Sequence, residues 1–209
     1  MNLVLLIKEN ALLGALYRGL SALVEVVPYQ LYREYPAATA GLSLKPKLDG
    51  FDVLFLDPVE AVALARHPEV PESADVLHAR IEDGCLCLAL KVEGRVVAYT
   101  WCNLRKCDYD GRLDFPLKDD EAYLFDARTF QACRGRSVAP FLRDQMYRKL
   151  ADMGRSRLFS TTSCFNSSAR RFKEKLRAKP VRLYVYIGLL GRFRINIFIR
   201  RYRSTDAPA

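Results

Sequence analysis

Residues 128–139, Arg128-Thr-Phe-Gln-Ala-Cys-Arg-Gly-Arg-Ser-Val-Ala139, are the stretch around which the rest of the chain reads. Before them, the apolar run Ala122–Phe125 has the character of a strand, within a segment extending from Glu121 to Thr129. After them, Phe141, Leu142, Met146 and Leu150 recur at helical spacing, which predicts a helix from Val138 to Met153, stopped by Gly154. Between the two lies a short turn carrying Arg134, Gly135, Arg136 and Ser137. A strand, a basic turn and a helix N-terminus together suit an anion. The first helical N–H groups lack partners within the helix, and the aligned peptide dipoles put their positive end there. Ser137 reads as the N-cap, and Gly135 as a residue free to take a positive φ. The plain alternative is an ordinary strand-to-helix connection with solvated arginines.

The charge balance points the same way. Residues 1–127 carry 13 Lys/Arg against 20 Asp/Glu, whereas residues 128–203 carry 20 against 3. The net +9 of the chain is thus the sum of an acidic first part and a strongly basic second part, so an anionic partner is expected at the second. Nucleotide phosphates, an acidic carrier protein, nucleic acid, anionic lipid and a merely solvated basic face all satisfy that balance, although no nucleic-acid-binding motif accompanies it. A chain of 209 residues, half of them hydrophobic, has the size and composition of one folded domain with an extension. Met1–Ile7 lacks a basic n-region and a cleavage site, and six cysteines without a secretory leader read as free thiols in a reducing cytoplasm. If Glu93-Gly94 is a two-residue turn, simple hairpin register sets Cys85 opposite Cys102. The spacing to Cys107 matches no common zinc pattern, so no metal site is expected.

Along the chain, residues 3–24 are rich in Leu, Ala and Val, with Leu12, Leu16, Leu20 and Leu23 on one helical face. Lys8, Glu9, Asn10 and Arg18 interrupt them too often for a membrane span, which leaves an amphipathic helix lying on this domain, on a second copy in a homodimer, or on a membrane surface. Tyr29, Tyr32 and Tyr35 follow at three-residue intervals. Phe51–Leu56 reads as a strand ended by Asp57-Pro58, a cap followed by a first helical residue, with helices from Pro58 to His67 and Glu72 to Ile81. Cys85–Val92 and Arg95–Asn103 form a hairpin, apolar on both faces, as in a central sheet covered on each side. Lys106–Asp120 is an acidic loop suited to attract a cationic amine. Arg157–Thr161 is a strand, Asn166 starts a helix to about Leu176, and Val181–Gly188 and Phe193–Arg200 are the last strands.

The turn resembles the acyl-CoA-binding motif of the GNAT acyltransferase superfamily, Arg/Gln-x-x-Gly-x-Gly/Ala, here Arg134-Gly135-Arg136-Ser137-Val138-Ala139. Two departures stand out. Ser137 replaces the first glycine, and Ala139 takes the permitted alternative at the second. Because serine has a Cβ, position 137 is expected to avoid φ > 0. The order of elements over residues 50–200 also resembles that family. It implies an α/β (α+β) fold with a mixed, mostly antiparallel central sheet and helices on both faces, spanning residues 49–209 after an N-terminal helical extension, residues 1–48. A second family signature survives in part, as Asn166 followed by Lys173-Glu174-Lys175 and Arg177-Ala178.

What the resemblance implies is direct acyl transfer from acyl-CoA, acetyl-CoA included, to an amine. The backbone of Arg134, Gly135, Arg136, Ser137, Val138 and Ala139 would hold the pyrophosphate. Thr129 and Phe130 would line the pantetheine with Asn166, and Lys173 stands where the family's proton-donating tyrosine usually is. Such chemistry needs a base for the amine and donors for the oxyanion. Asp126 and Glu121, on the strand before the motif, are the candidate catalytic carboxylates; for Asp126 the alternative is a salt bridge to Arg128 or Arg134. Two other readings remain. One is a long-chain N-acyltransferase fed by an acylated acyl carrier protein, whose acidity the basic half would suit. The other is a non-catalytic protein that binds acyl-CoA or an anionic surface.

Overall fold

A computed structural model describes residues 24–39, 44–189 and 193–202. Ten strands and four α-helices alternate in it: β1 Val24–Glu34, β2 Phe51–Phe55, α1 Pro58–Ala63, α2 Ala74–Glu82, β3 Leu86–Val92, β4 Arg95–Asn103, β5 Lys106–Asp108, β6 Asp114–Pro116, β7 Glu121–Thr129, α3 Val138–Asp152, β8 Arg157–Ser163, α4 Ser167–Lys175, β9 Lys179–Leu189 and β10 Phe193–Arg201. Eight strands make one sheet, in the order β10-β9-β1-β8-β7-β4-β3-β2, and β5 and β6 form a separate hairpin. Every pairing in the large sheet is antiparallel except β7 with β8. The α/β class and the mixed, mostly antiparallel sheet are therefore as expected.

Local chemistry sets many boundaries. Asp57 caps α1 by accepting from the Glu60 N–H at 2.8 Å, and Pro58 opens the helix, where its missing N–H costs nothing. Ser73 caps α2, and Gly154, at φ 77, ends α3. The first predicted helix is shorter than expected, since a 3₁₀ turn, Leu64–Arg66, takes over from α1.

The helices lie on both faces of the sheet. On one, Val138, Leu142, Met146 and Leu150 of α3 pack on Leu88, Leu90, Cys102, Leu124 and Leu158. On the other, Ala61 and Leu77 from α1 and α2 pack on Cys87, Ala89, Tyr99 and Trp101, while the β5–β6 hairpin covers Tyr29, Tyr123, Tyr184 and Tyr186.

Two expectations are corrected. Residues 24–34, taken as part of a helical extension over residues 1–48, form β1, an interior strand between β8 and β9. Packing between two strands overrides the tyrosine spacing. Tyr29 and Tyr32, three apart on a strand, face opposite sides of the sheet. The leucine-rich helix of residues 3–23 lies outside the described residues. The second correction concerns the β3–β4 hairpin. Glu93-Gly94 is its turn, with Val92 opposite Arg95, but a bulge at Leu90/Lys91 advances the register by one residue. Cys102 therefore faces Leu86, Cys85 accepts from the Asn103 amide at 3.3 Å, and the cysteines are free.

Candidate functional site

The interior of the sheet contains a gap. β7 and β8 pair only at Glu121–Arg157, Ala122–Leu158 and Tyr123–Phe159, after which the two strands part. From Leu124 to Thr129, β7 keeps β4 on one side and no strand on the other; from Ser160 to Ser163, β8 keeps only β1. At the apex, the Tyr123 hydroxyl and Thr161 Oγ1 share a hydrogen bond of 2.5 Å. Buried main-chain groups require partners, so two unpaired strand edges facing one another are a place for an extended ligand to add hydrogen bonds. A bulge in the β4–β7 register between Tyr99 and Trp101 bends β7 here, with Asp126 at φ 40.

The motif turn stands at the open end of this gap. Arg134 is extended, Gly135 is at φ 77 and Ser137 at φ 59, ψ 18. The expected geometry of Ser137 is thus corrected: it takes the left-handed region, and its hydroxyl caps nothing. A side-chain cap requires extended backbone at that residue, whereas this turn has alternating handedness, the form that aims successive N–H groups into one concavity. Among the described residues, the N–H groups of Gly135, Arg136, Ser137, Val138 and Ala139 have no protein acceptor beyond helix-internal bonds, and the next residue, Pro140, has no N–H. A Cβ built at Gly135 would meet nothing within 4 Å, so the turn is open to solvent.

Its scaffold came from residues that carried no signal in the sequence. Glu69 accepts from the Gln131 N–H at 2.9 and 3.0 Å and pairs with Arg134 at 2.9 Å, while Arg134 Nε donates to the Thr129 carbonyl at 3.0 Å. Arg134 accordingly braces the turn, whereas Arg136, exposed as well, has no ion-pair partner among the described residues. Lys47 N–H donates to the Arg136 carbonyl at 2.8 Å, adding a basic residue from the loop before β2. The Phe130 ring is buried and stacks on His67 at 3.6 Å, and its N–H is taken by the Val97 carbonyl.

The other predicted site residues separate. Asp126 lies on the face carrying α2, with one oxygen 2.7 Å from Arg80 Nη1; the pairing expected with Arg128 or Arg134 is made with Arg80 instead. Arg80 also lies over Trp101 and Phe125, at 5.3 and 5.2 Å, and 3.7 Å from Glu72. Glu121 sits at the closed end of the gap, accepting from the Lys118 N–H and 3.2 Å from Arg157. Asn166 caps α4, just past the end of β8, through the Ala169 N–H at 2.9 Å.

Lys173 is corrected as well. Its ammonium is buried 2.5 Å from Glu34 and bonded to Ser160, between α4 and the sheet, so it faces neither donor nor solvent. Of the other groups that could give a proton, Tyr184 and Tyr186 stand on β9, beyond β1 from β8. Cys164 directly follows β8 at the mouth, where burial pushes its thiol up against the opposing pull of Arg170. The acidic loop of residues 106–120 is the β5–β6 hairpin. Its Asp108, Asp110 and Asp120 are paired with Lys106, Arg112 and Arg157 rather than left open to an amine.

A concavity of about 540 Å³ lined by Arg182, Tyr184, Phe198 and Arg201 lies on β9 and β10, away from the turn and without its run of N–H donors. No group of His, Cys, Asp and Glu among the described residues has the arrangement to hold a metal.

The fold is that of the GNAT acyltransferases. A GNAT-family acetyltransferase from Colwellia psychrerythraea aligns at TM-score 0.55 and 16% identity, over 83% of this chain and 61% of its own. A GCN5-related N-acetyltransferase from Kribbella flavida gives 0.51 and 15%, over 84% and 63%. A tandem GNAT protein from the clavulanic acid biosynthesis pathway gives 0.54 and 10%, over 86% and 59%. The chain spans 58% to 68% of the length of the first solved structures to which it is similar. No family model and no curated protein matches the sequence. In this sheet the neighbour of β8 on the side away from β7 is β1, the first described strand.

Proposed function

We propose that the chain is an N-acyltransferase that moves an acyl group from acyl-CoA directly to an amine. The observation that carries this reading is the run of five consecutive N–H groups at residues 135–139 without a protein acceptor among the described residues beyond helix-internal bonds, in the turn that follows β7. A diphosphate is the ligand that such a run and a helix N-terminus suit. Arg136 and Lys47 add exposed positive charge beside it. The pantetheine arm, an amide-bearing extended chain, would pair with the free edge of β7, and Asn166, which caps α4 just past the end of β8, would meet it through its amide nitrogen. Residues Thr129 and Phe130 shape the entrance chiefly through their backbone.

The thioester would then end near the Asp126 bulge, so the acceptor amine must reach it from the face of α2. Asp126 has one oxygen on Arg80 and one without a protein partner, so it can receive a hydrogen bond from the attacking amine and orient it. With Lys173 in the place where the resemblance expects a proton-donating tyrosine, Cys164 is the nearest thiol in sequence to the β8 edge. Direct transfer in the gap relies on proximity, with main-chain donors for the oxyanion.

Calorimetric titration with coenzyme A, coupled to a thiol-release assay with acetyl-CoA, long-chain acyl-CoA and acylated carrier protein, tests the reading. Ser137→Pro, which cannot reach φ 59, is expected to abolish coenzyme A binding. Ser137→Gly, which relieves a left-handed residue of roughly 1 kcal/mol of strain, is expected to keep or tighten it. Arg136→Ala should weaken binding about tenfold, and Asp126→Asn should lower the rate more than it weakens donor binding. Wild-type affinity in Ser137→Pro would refute the phosphate turn, and release from the carrier-protein donor alone would replace the acyl-CoA reading.

A further inference from the structure

Beyond β8 and β1 from the gap, β9 and β10 carry two arginines that the acyl-transfer chemistry does not use. In the pairing register Arg182 of β9 lies directly opposite Arg201 of β10, and Tyr184 lies opposite Phe198. These four side chains line the concavity of about 540 Å³. Among the described residues neither arginine is ion-paired. Arg182 Nη1 reaches the Tyr184 hydroxyl at 3.4 Å. Like charges directly opposite on neighbouring strands oppose the pairing, so an anion set between them removes a cost as well as gaining an attraction.

A bulge makes this juxtaposition. The β9–β10 register shifts between Phe198 and Arg200, leaving Ile199 as the extra residue. In an unbroken strand Arg200 would share a face with Phe198. Here Arg201 takes that place, and Arg200 pairs with Leu183 and lies over the Tyr202 ring at 4.5 Å. Bulges recur where a strand has to re-aim a side chain at a site. The floor of the concavity is firm. Tyr184 is buried, stacked on Tyr29 at 5.3 Å and edge-to-face with Phe198 at 5.7 Å, whereas the Phe198 ring is 53% exposed. The Tyr184 hydroxyl accepts from Arg182 and keeps its own proton to donate.

Two guanidinium forks and a phenol O–H suit a group with several oxygens and two charges. A phosphate monoester is close to dianionic at neutral pH and matches both forks, whereas a single carboxylate leaves one arginine without a counter-charge. The concavity is larger than inorganic phosphate needs and lies in the range of small-molecule sites. Beside the arginines, the open Phe198 ring offers a face on which a flat group can stack. We propose that Arg182, Arg201, Tyr184 and Phe198 form a second ligand site, for a phosphate monoester with a flat aromatic body, the class to which nucleoside monophosphates belong. Its phosphate lies between the two guanidinium groups and its ring on Phe198. The site shares no residue with the turn at residues 134–139 and is independent of the acyl-transfer reading.

Calorimetric titration of the full chain with AMP, ribose 5-phosphate, inorganic phosphate and adenosine tests this. AMP is expected to bind most tightly, the two phosphates without a base more weakly, and adenosine not at all. Arg182→Gln and Arg201→Gln should each weaken AMP about tenfold or more, the loss of a charged hydrogen-bonding partner. Phe198→Ala should bring AMP down to the affinity of ribose 5-phosphate. Arg200→Gln, one residue from Arg201 but turned away from the concavity, should bind AMP as wild type does. An equal loss in Arg200→Gln would mean a diffuse basic surface and would overturn the site, as would wild-type affinity in either of the other arginine variants or no AMP binding at all. Binding to phosphatidic acid vesicles without binding to AMP would assign the arginines to a membrane and likewise overturn it. The same titration in Ser137→Pro separates the two anion sites. AMP affinity is expected to be unchanged there, and its loss would place AMP at the phosphate turn instead.

Discussion

Glu34 shows how much a single residue can carry. Its carboxylate is fully buried, 2.5 Å from Lys173 and 3.7 Å from Arg143, and it accepts from Tyr147 and Ser160. Burial alone would raise this carboxyl; the charges of Lys173 and Arg143, with hydrogen bonds from Lys173 and Ser160, bring it down to about 2. Burial works the other way on Lys173, bringing it to about 8 despite Glu34. One anion thus serves two cations. Replacing it by Glu34→Gln strands both, at a cost of about 3–5 kcal/mol, while Lys173→Met leaves the Glu34–Arg143 pair and should cost markedly less. Urea unfolding at neutral pH distinguishes the two, and equal losses would refute the account. The pH dependence has a definite sign. A depressed carboxyl contributes stability above its unfolded value near 4.5 that is lost as pH falls towards 2, so this acid limb should flatten in Glu34→Gln. The depressed lysine binds its proton more tightly when unfolded, so stability should rise between pH 8 and 10.5, a rise absent from Lys173→Met.

At the scale of elements, what could be read in the sequence was local. The hairpin of β3 and β4 announces itself because Glu93-Gly94 suits a turn with two positive φ angles, and the turn has them, at 49 and 76. Gly94→Ala should therefore cost about 1 kcal/mol, from backbone strain alone, since an added Cβ meets nothing within 4 Å. A melting temperature unchanged by the substitution would show that the turn relaxes. α3 was equally legible, from the period of Leu142, Met146 and Leu150, and so were the Asp57 and Asn166 caps. Features made by partners distant in sequence were not. A bulge at Leu90/Lys91 leaves no mark on local composition, yet it moves Cys102 from Cys85 to Leu86. β1 was hidden because Val24–Glu34 neither alternates cleanly nor avoids proline; only β8 and β9 make it a strand. At the candidate site, the motif turn was visible as a string of residue types. The Glu69 brace, the Arg80 partner of Asp126 and the burial of Lys173 all depend on contacts across dozens of residues, which spacing cannot report.

For the molecule as a whole, the position of β1 decides how the gap is held open. An edge strand at β8 would be free to close on β7 or to pair elsewhere. Instead β8 is bonded through Glu34–Leu158 to Tyr29–Ser163 along β1, and β1 in turn is bonded to β9. The wall of the gap is therefore a strand from one end of the described chain locked between strands from the other, and long-range pairing of this kind forms only as the whole sheet assembles. Removing residues 1–34 would expose the edges of both β8 and β9, strip Glu34 from Arg143 and Lys173, and split the sheet into two parts. That truncation is expected to yield no cooperative unfolding transition. Removing residues 1–22 leaves every described strand in place and should preserve both a cooperative transition and coenzyme A binding. Thermal melts and titrations on the two truncations check this directly. A cooperative melt and retained binding in the longer truncation would mean that β1 is dispensable and that β8 and β9 can close on each other without it.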